Sequence, residues 1–245
     1  MNPLLTLATA RRVLAQLRND PRTVALLLVT PVVLVALMKW VYLDQDRVFQ
    51  RIGVPLVGIF PMTSMFLVTS ITMLRERTTG TLERLLTTPL AKLDLLGGYA
   101  LAFGAMSVLQ GALTSAVAFG LLGLDVEGPL LAVVLLAVVN ALLGTAMGLL
   151  VSAFANSEFQ AAQFMPVFLL PQLLLCGLIA PRAAMAPALE AISNVLPMTY
   201  AYDALNRVAG GANLSGRVAM DTVLLLAASL LALSLGAATL RRRTE

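Results

Sequence analysis

The charged residues of this chain divide it into long apolar intervals, and the lengths of those intervals decide what it can fold into. Residues 23–38, 52–74, 95–124, 128–157, 159–181 and 222–240 contain no Asp, Glu, Lys or Arg. A helix crossing the hydrocarbon core of a bilayer needs about 20 apolar residues, within a range of about 17–25. Five of the intervals are long enough outright. The first is long enough if Lys39 snorkels to the interface, so that a span runs from Thr23 to Leu43. The expected fold is all-α and polytopic, with six spans at about 23–43, 52–74, 95–122, 129–153, 159–180 and 218–240 within a membrane domain over 23–245. Residues 1–22 precede it as a separate helix. A β-barrel is excluded because its strands alternate in polarity over about ten residues, whereas these runs are continuous. Residues 1–22 are polar and basic, so no cleaved signal peptide is expected there.

Missing residue types narrow the chemistry. The chain has no histidine and a single cysteine, Cys176, set inside an apolar run. That excludes a His proton relay, a Ser-His intramembrane protease and an intrachain disulfide, and makes a metal site an unexpected feature. No acid or base lies deep in a predicted span, where a proton- or sodium-driven carrier keeps one. No catalytic cluster appears either. A phosphate-binding G-x-x-x-x-G-K-[ST] loop is absent, and neither Lys39 nor Lys92 sits in a glycine-rich loop. Nothing in the chain calls for a nucleic-acid partner. The basic residues set the orientation. Segments 1–22, 75–94 and the C-terminus hold 11 of the 17 basic residues, and with six spans they fall on one side. Both termini are therefore expected in the cytoplasm.

Four regions carry more specific patterns. In residues 1–22, Leu7, Ala10, Val13, Leu14 and Leu17 share one helical arc, and Arg11, Arg12, Arg18 and Arg22 the next. This fits an interfacial helix with its arginines near lipid phosphates, or a plain topology-setting tail. Asn19-Asp20-Pro21 makes the turn into the first span. Between spans two and three, Gly80 permits a tight turn, and Thr79 or Thr81 can cap a helix over about 79–90 with Glu83 at its positive end. Leu82, Leu85, Leu86 and Leu90 share a face of that helix, and Pro89 stops it. The face needs a cover, either a partner or the bundle itself.

Residues 181–208, broken at Pro181, Pro187 and Pro197, are too apolar for a solvated loop and predict an outer re-entrant helical hairpin, acting as a gate or a plug. Pro197, Tyr200, Asp203 and Arg207 are its candidate gate residues, with Asp203 and Arg207 spaced for a helical ion pair. In span four, Asn140, Gly144, Gly148, Ser152 and Asn156 recur every fourth residue. They form a packing face with polar groups placed for interhelical hydrogen bonds, and Ser107, Gly111 and Ser115 repeat the device in span three, with a substrate path as the alternative for both stripes. Spans two and five carry Thr63, Met65 and Thr69, and Gln160, Gln163, Phe164, Phe168 and Gln172. Hydroxyls, amides and thioethers among aromatics suit a substrate path or a dimer seam, and kinked packing helices give the same pattern.

The run Arg75 to Pro89 resembles the E-R-x-x-G-T-x-E-x-L-x-x-x-P stretch of the ATP-binding-cassette type-2 permeases, the daunorubicin-resistance and Nod-factor export kind. Glu76, Arg77, Gly80, Thr81, Glu83, Leu85 and Pro89 carry the match. Leu196-Pro197-Met198-Thr199-Tyr200, followed by Arg207, resembles the family's L-P-x-T-Y…R segment before the last span, with the basic residue one position late. The resemblance covers essentially the whole chain. It implies a permease subunit in the bacterial cytoplasmic membrane, paired with a second permease copy as a homodimer and with two cytosolic ATPase subunits. It implies that 79–90 is the coupling helix, with Arg75, Glu76, Arg77, Gly80, Thr81, Glu83, Arg84, Leu85, Leu86 and Pro89 coupling to the ATPase. ATP and Mg would be bound by that ATPase, and this chain would bind no cofactor and catalyse no reaction. The implied cargo is a hydrophobic or amphipathic drug-like compound. A lipid, glycolipid or polysaccharide is the alternative within the family, and an ATP-independent carrier or channel the alternative outside it.

Overall fold

The computed structural model describes residues 2–81, 91–214 and 216–239. Its elements are α1 (Pro3–Asn19), α2 (Pro21–Val41), α3 (Asp46–Thr78), α4 (Lys92–Gly120), α5 (Leu130–Ser152), α6 (Glu158–Leu175), a 3-10 turn (Arg182–Ala184), α7 (Pro187–Ser193), α8 (Pro197–Ala209) and α9 (Arg217–Thr239). No strand occurs among the described residues. Five helices, α2, α3, α4, α5 and α9, are long and apolar enough to cross a bilayer. The chain is an all-helical polytopic membrane protein. The fifth expected span is shorter than its charge-free interval: α6 has 18 residues and ends at Leu175. Gly177 follows with φ +104°, a conformation that other residues rarely adopt. Most of the loop helix expected at about 79–90, with Glu83, Arg84, Leu85, Leu86 and Pro89, lies outside the described residues.

Local chemistry sets the helix ends. The Asn2 side chain accepts the Leu4 amide at 3.1 Å and Pro3 opens α1. Asp20 alone separates α1 from α2. It accepts the Thr23 amide at 3.2 Å and the Thr23 hydroxyl at 2.6 Å, and these bonds hold its carboxyl below the usual carboxylate range. At the far end of α3, Thr79 caps the helix and Gly80 turns the chain out at φ +72°, as the glycine predicts. With 33 residues, α3 is about 50 Å long against a hydrocarbon core of about 30 Å, so its ends project.

α3 and α5 form the axis of the bundle. They run parallel, with Asn140 beside Gly58, Gly144 against the Met62 backbone and Gly148 against the Phe66 backbone. The four-residue stripe of α5 is thus a packing face as far as Ser152, and Asn156 stands exposed beyond the helix. Among the described residues the expected interhelical hydrogen bonds do not form. Ser107 and Ser152 bond back to carbonyls of their own helices, Phe103 and Leu149, and the buried Asn140 carboxamide has no partner among the described residues. The stripe works by small size, which lets backbones touch, rather than by polarity. α4 joins through Gly111, which abuts Val138 of α5. α2 and α9 pack peripherally and leave Leu26, Val29, Val33, Val223, Leu230 and Leu231 exposed on the outside of the bundle.

The bundle has two distinct ends. The basal end holds α1, the C-termini of α3 and α5, and the start of α4; the apical end holds α7 and α8. α8 lies on the bundle with Met198, Ala201, Leu205 and Val208 buried, as a helical pair broken at Pro197 requires. α1 packs on α4 through Thr6, Thr9, Ala10, Val13 and Leu17, whereas Leu7 and Leu14, expected on that face, are exposed. Thr9 abuts Gly98, so the buried face is turned toward the threonines.

A Cβ at Gly144 would collide with the Met62 carbonyl oxygen, which belongs to rigid backbone. Gly144→Ala is expected to cost roughly 1–3 kcal/mol or more, read as a lower unfolding temperature of the detergent-purified protein. Gly120→Ala, at a position with open space, should leave that temperature unchanged or higher.

Candidate functional site

The basal end of α3 is organised by three consecutive charges, Arg75, Glu76 and Arg77. They belong to the helix itself, which runs on to Thr78, rather than to the loop after it. Successive helical positions point about 100° apart, so three in a row fan over about 200°, a little more than half the circumference. Each is received by a different helix. Arg75 forks onto Glu158 at the start of α6, Nε to Oε1 at 2.6 Å and Nη2 to Oε2 at 3.0 Å. Glu76 accepts three hydrogen bonds from the Arg12 guanidinium of α1 at 3.0–3.2 Å and one from Gln16 at 3.0 Å. Arg77 donates to the Ser152 carbonyl, at the negative end of α5.

These ties are not equivalent. The Glu76 side chain is 7% exposed, and Arg12 is held as well by the Tyr99 hydroxyl at 2.8 Å and by stacking 5.8 Å above the Tyr99 ring. The Glu76 carboxylate is buried with both oxygens engaged, while the half-buried Arg12 covers it. Arg12 is therefore turned into the protein and not toward lipid phosphates, unlike Arg11 and Arg18, which stay exposed. The Arg75–Glu158 pair is 55% and 51% exposed, where water screens it. Behind Glu76, the buried Asp94 of α4 accepts the Asn2 amide at 2.9 Å and fixes the start of α1. Beside the fan, a cavity of about 220 Å³ opens between α1, α2 and α3, lined by Gln16, Asp20, Thr23, Thr72 and Glu76 and reaching Thr79 and Thr81. It sits where the chain leaves α3 at Gly80.

The expected path residues do not form one surface. Met65 is buried in the core with Leu27 and Ala141, and Thr69 is fully buried. Gln172 is buried too; it donates to the Phe168 carbonyl at 2.9 Å and receives the Met198 amide of α8 at 3.4 Å. Gln160 caps its own helix by accepting the Asn156 amide at 2.8 Å. Gln163 and Phe168 are exposed on the outer face of α6, with Phe164 half-buried and set edge-on to Phe168. Thr63 lines an apolar groove of about 200 Å³ floored by α3 and walled by Leu34 of α2 and Met165, Pro166 and Leu169 of α6.

At the apical end, the pair anticipated within α8 is replaced by two pairs that leave it. Asp203 binds Arg182 of the 3-10 turn, and Arg207 lies 3.8 Å from Asp221 at the start of α9. Arg182 also reaches the Asn194 side chain at 3.1 Å, and Tyr200 donates to the Asn194 carbonyl at 2.6 Å. Pro197 opens α8 at its first position. Both carboxylates thus tie α8 to its neighbours rather than along its own axis.

Sequence reasoning missed Arg12, Gln16, Glu158, Arg182 and Asp221 as partners. Glu158 had a signal, since it is the only charge between residues 128 and 181. Arg12 had none, because a pair 64 residues apart leaves no local pattern. Removing one side of the buried pair leaves a charge stranded. Arg12→Ala or Glu76→Ala is expected to cost about 3–5 kcal/mol at most, and Glu158→Ala about 0–1, compared by unfolding in one detergent.

Residues 3–208 match the model of the ABC-2 type transporter family. Among curated proteins, the probable multidrug ABC transporter permease YbhS of Escherichia coli K12 is 26% identical over 180 residues, 73% of this chain and 48% of that protein. The probable multidrug ABC transporter permease YbhR of the same strain is 26% identical over 153 residues, 62% of this chain and 42% of that protein. The chain spans about half the length of the curated relatives it matches. With most of its residues covered by the family match, the chain belongs to the ABC-2 type transporter family.

Proposed function

We propose that this chain is the membrane-spanning permease subunit of an ATP-driven exporter. α6 serves as its sixth span, and the basal end faces the cytoplasm of a bacterial inner membrane. The observation that carries this reading is the fan at Arg75, Glu76 and Arg77. It joins the end of α3 to α1, α5 and α6 at the point where the loop departs. A segment that receives force needs such a footing, because a loop rooted in one helix alone would bend instead of moving the bundle. The loop itself, with Gly80, Thr81, Glu83, Arg84, Leu85, Leu86 and Pro89, is the contact for a cytosolic ATPase subunit that binds ATP and Mg.

Two permease copies and two ATPase subunits make the working assembly in this reading. The exposed face of α6 at Gln163 and Phe168, with the groove at Thr63, supplies the seam or wall along which an amphipathic, drug-like compound moves. The half-buried pairs of α8, with Pro197 and Tyr200, form the outer gate. Support for the cargo class is the apolar character of the groove and the similarity to probable multidrug transporter permeases. Binding of ATP would drive the cycle only by favouring one of two packings by a differential free energy.

The test is co-purification of the chain with its ATPase subunit. Glu83→Lys, or Leu85→Ala with Leu86→Ala, is expected to break the complex or to uncouple hydrolysis from transport in proteoliposomes. Undiminished transport with no ATPase present would sink the proposal.

A further inference from the structure

We infer that α6 is the wall that the loop after α3 moves, and that the Arg75–Glu158 pair is the link through which it is moved. This rests on the functional reading above. Of the three ties in the fan, two lead to elements that cannot shift independently. α5 is locked to α3 by the backbone contacts at Gly144 and Gly148, and α1 is clamped by Glu76, Tyr99 and Asp94. α6 is held differently. Near its start it touches α3 through a small apolar cluster of Leu74, Ala155, Ala161 and Phe164. Farther along, Leu169 joins the apolar cluster of Ile59, Met62 and Phe66 of α3, and beside that contact a groove of about 200 Å³ opens at Thr63. Pro166 and Pro171 each remove a backbone hydrogen bond there, which provides a place to bend.

The pair is suited to pulling. Its fork has two nearly parallel bonds and hence a fixed direction, and its exposure lets it re-form at little cost. Glu158 also stands in a braced first turn. Ser157 accepts the Gln160 amide at 3.2 Å, and Gln160 accepts the Asn156 amide at 2.8 Å. A pull at Glu158 therefore displaces the start of the helix instead of unravelling it. At the other end, Ser193 donates to the Leu175 carbonyl at 2.9 Å and Gln172 receives the Met198 amide. Displacement of α6 consequently reaches α7 and α8, and the same helix connects the energy-receiving end to the gate.

The experiment uses the full chain, assembled with its co-expressed ATPase subunit in nanodiscs. A fluorophore is placed at Phe168→Cys in a Cys176→Ser background, and its shift on adding ATP and Mg is recorded. Glu158→Arg should leave assembly and basal hydrolysis in place while the ATP-dependent shift falls severalfold, up to about fivefold. Combining it with Arg75→Glu, which restores an ion pair of reversed sense, should recover most of the shift. A purely structural pair would also be rescued by the swap, so the unfolding temperature is read alongside: a lost shift matched by a fall in that temperature would overturn the inference. An unchanged shift in Glu158→Arg, or a swap that stays as silent as the single variant, would overturn the inference while leaving the functional reading intact. A wild-type complex that neither assembles nor hydrolyses ATP would overturn both.

Discussion

The contact between α3 and α5 is the one on which the rest of the structure depends. In lipid, one apolar side chain gains nothing by exchanging a hydrocarbon neighbour for another, so the usual driving force for helix association is missing. What remains is close approach, and Gly144 and Gly148 supply it by letting α5 rest on the backbone of α3 at Met62 and Phe66. Everything else is placed relative to that pair. α4 reaches α5 at Gly111, α9 at Gly236, and α8 settles against Gly58 and Asn140 through Leu205. The unpartnered carboxamide of Asn140 marks what this closeness costs, since burying an amide without a hydrogen bond is unfavourable.

Because the interior is held by contact alone, charge is confined to the ends, and there it discriminates. The Glu76 carboxylate, removed from water, is tolerable only with Arg12 and Gln16 in place, so the position of α1 is not negotiable. The Arg75 and Glu158 side chains are half in water, so separating them strands nothing. Two residues adjacent in sequence thus make one permanent joint and one releasable joint. The difference lies in burial, not in residue type. At the apical end the division is different: Asp221 is as buried as Glu76 although its partner Arg207 is half exposed, and the Arg182–Asp203 pair lies between.

The fold was legible where a single segment decides it. Five long apolar helices fall on uncharged lengths, the α1–α2 turn follows from Asp20 and Pro21, the exit from α3 from Gly80, and the break before α8 from Pro197. The packing role of the α5 stripe was legible too, because small residues at four-residue spacing let a neighbouring backbone approach, as Gly144 and Gly148 do. Hydrogen-bond partners were not. A serine in a lipid-facing helix can satisfy itself on its own carbonyl four residues back, as Ser107 does, and the sequence pattern for that is the same as for a bond to a neighbour. Asp203 and Arg207 have ideal spacing for a helical pair, yet Arg182 and Asp221 approach from other elements and win. At a half-buried site a partner that also closes the tertiary structure outweighs a few tenths of a kcal/mol from a local pair.

α6 shows why the least regular helix is the informative one. Its three glutamines and two prolines lower its apolarity and interrupt its hydrogen bonds, which would be a liability in a helix required only to anchor the chain. Gln160 and Gln172 offset that liability locally, one bracing the first turn and the other meeting the start of α8. Gln163 does neither and stands exposed on the outer face, one turn before Val167 and Phe168. A polar amide on an otherwise apolar outer face is poorly placed against hydrocarbon. It is well placed against a second protein surface or an amphipathic molecule. The composition of α6 therefore matches its contacts: polar groups settle its two ends, and the apolar outer face between them carries the amide of Gln163.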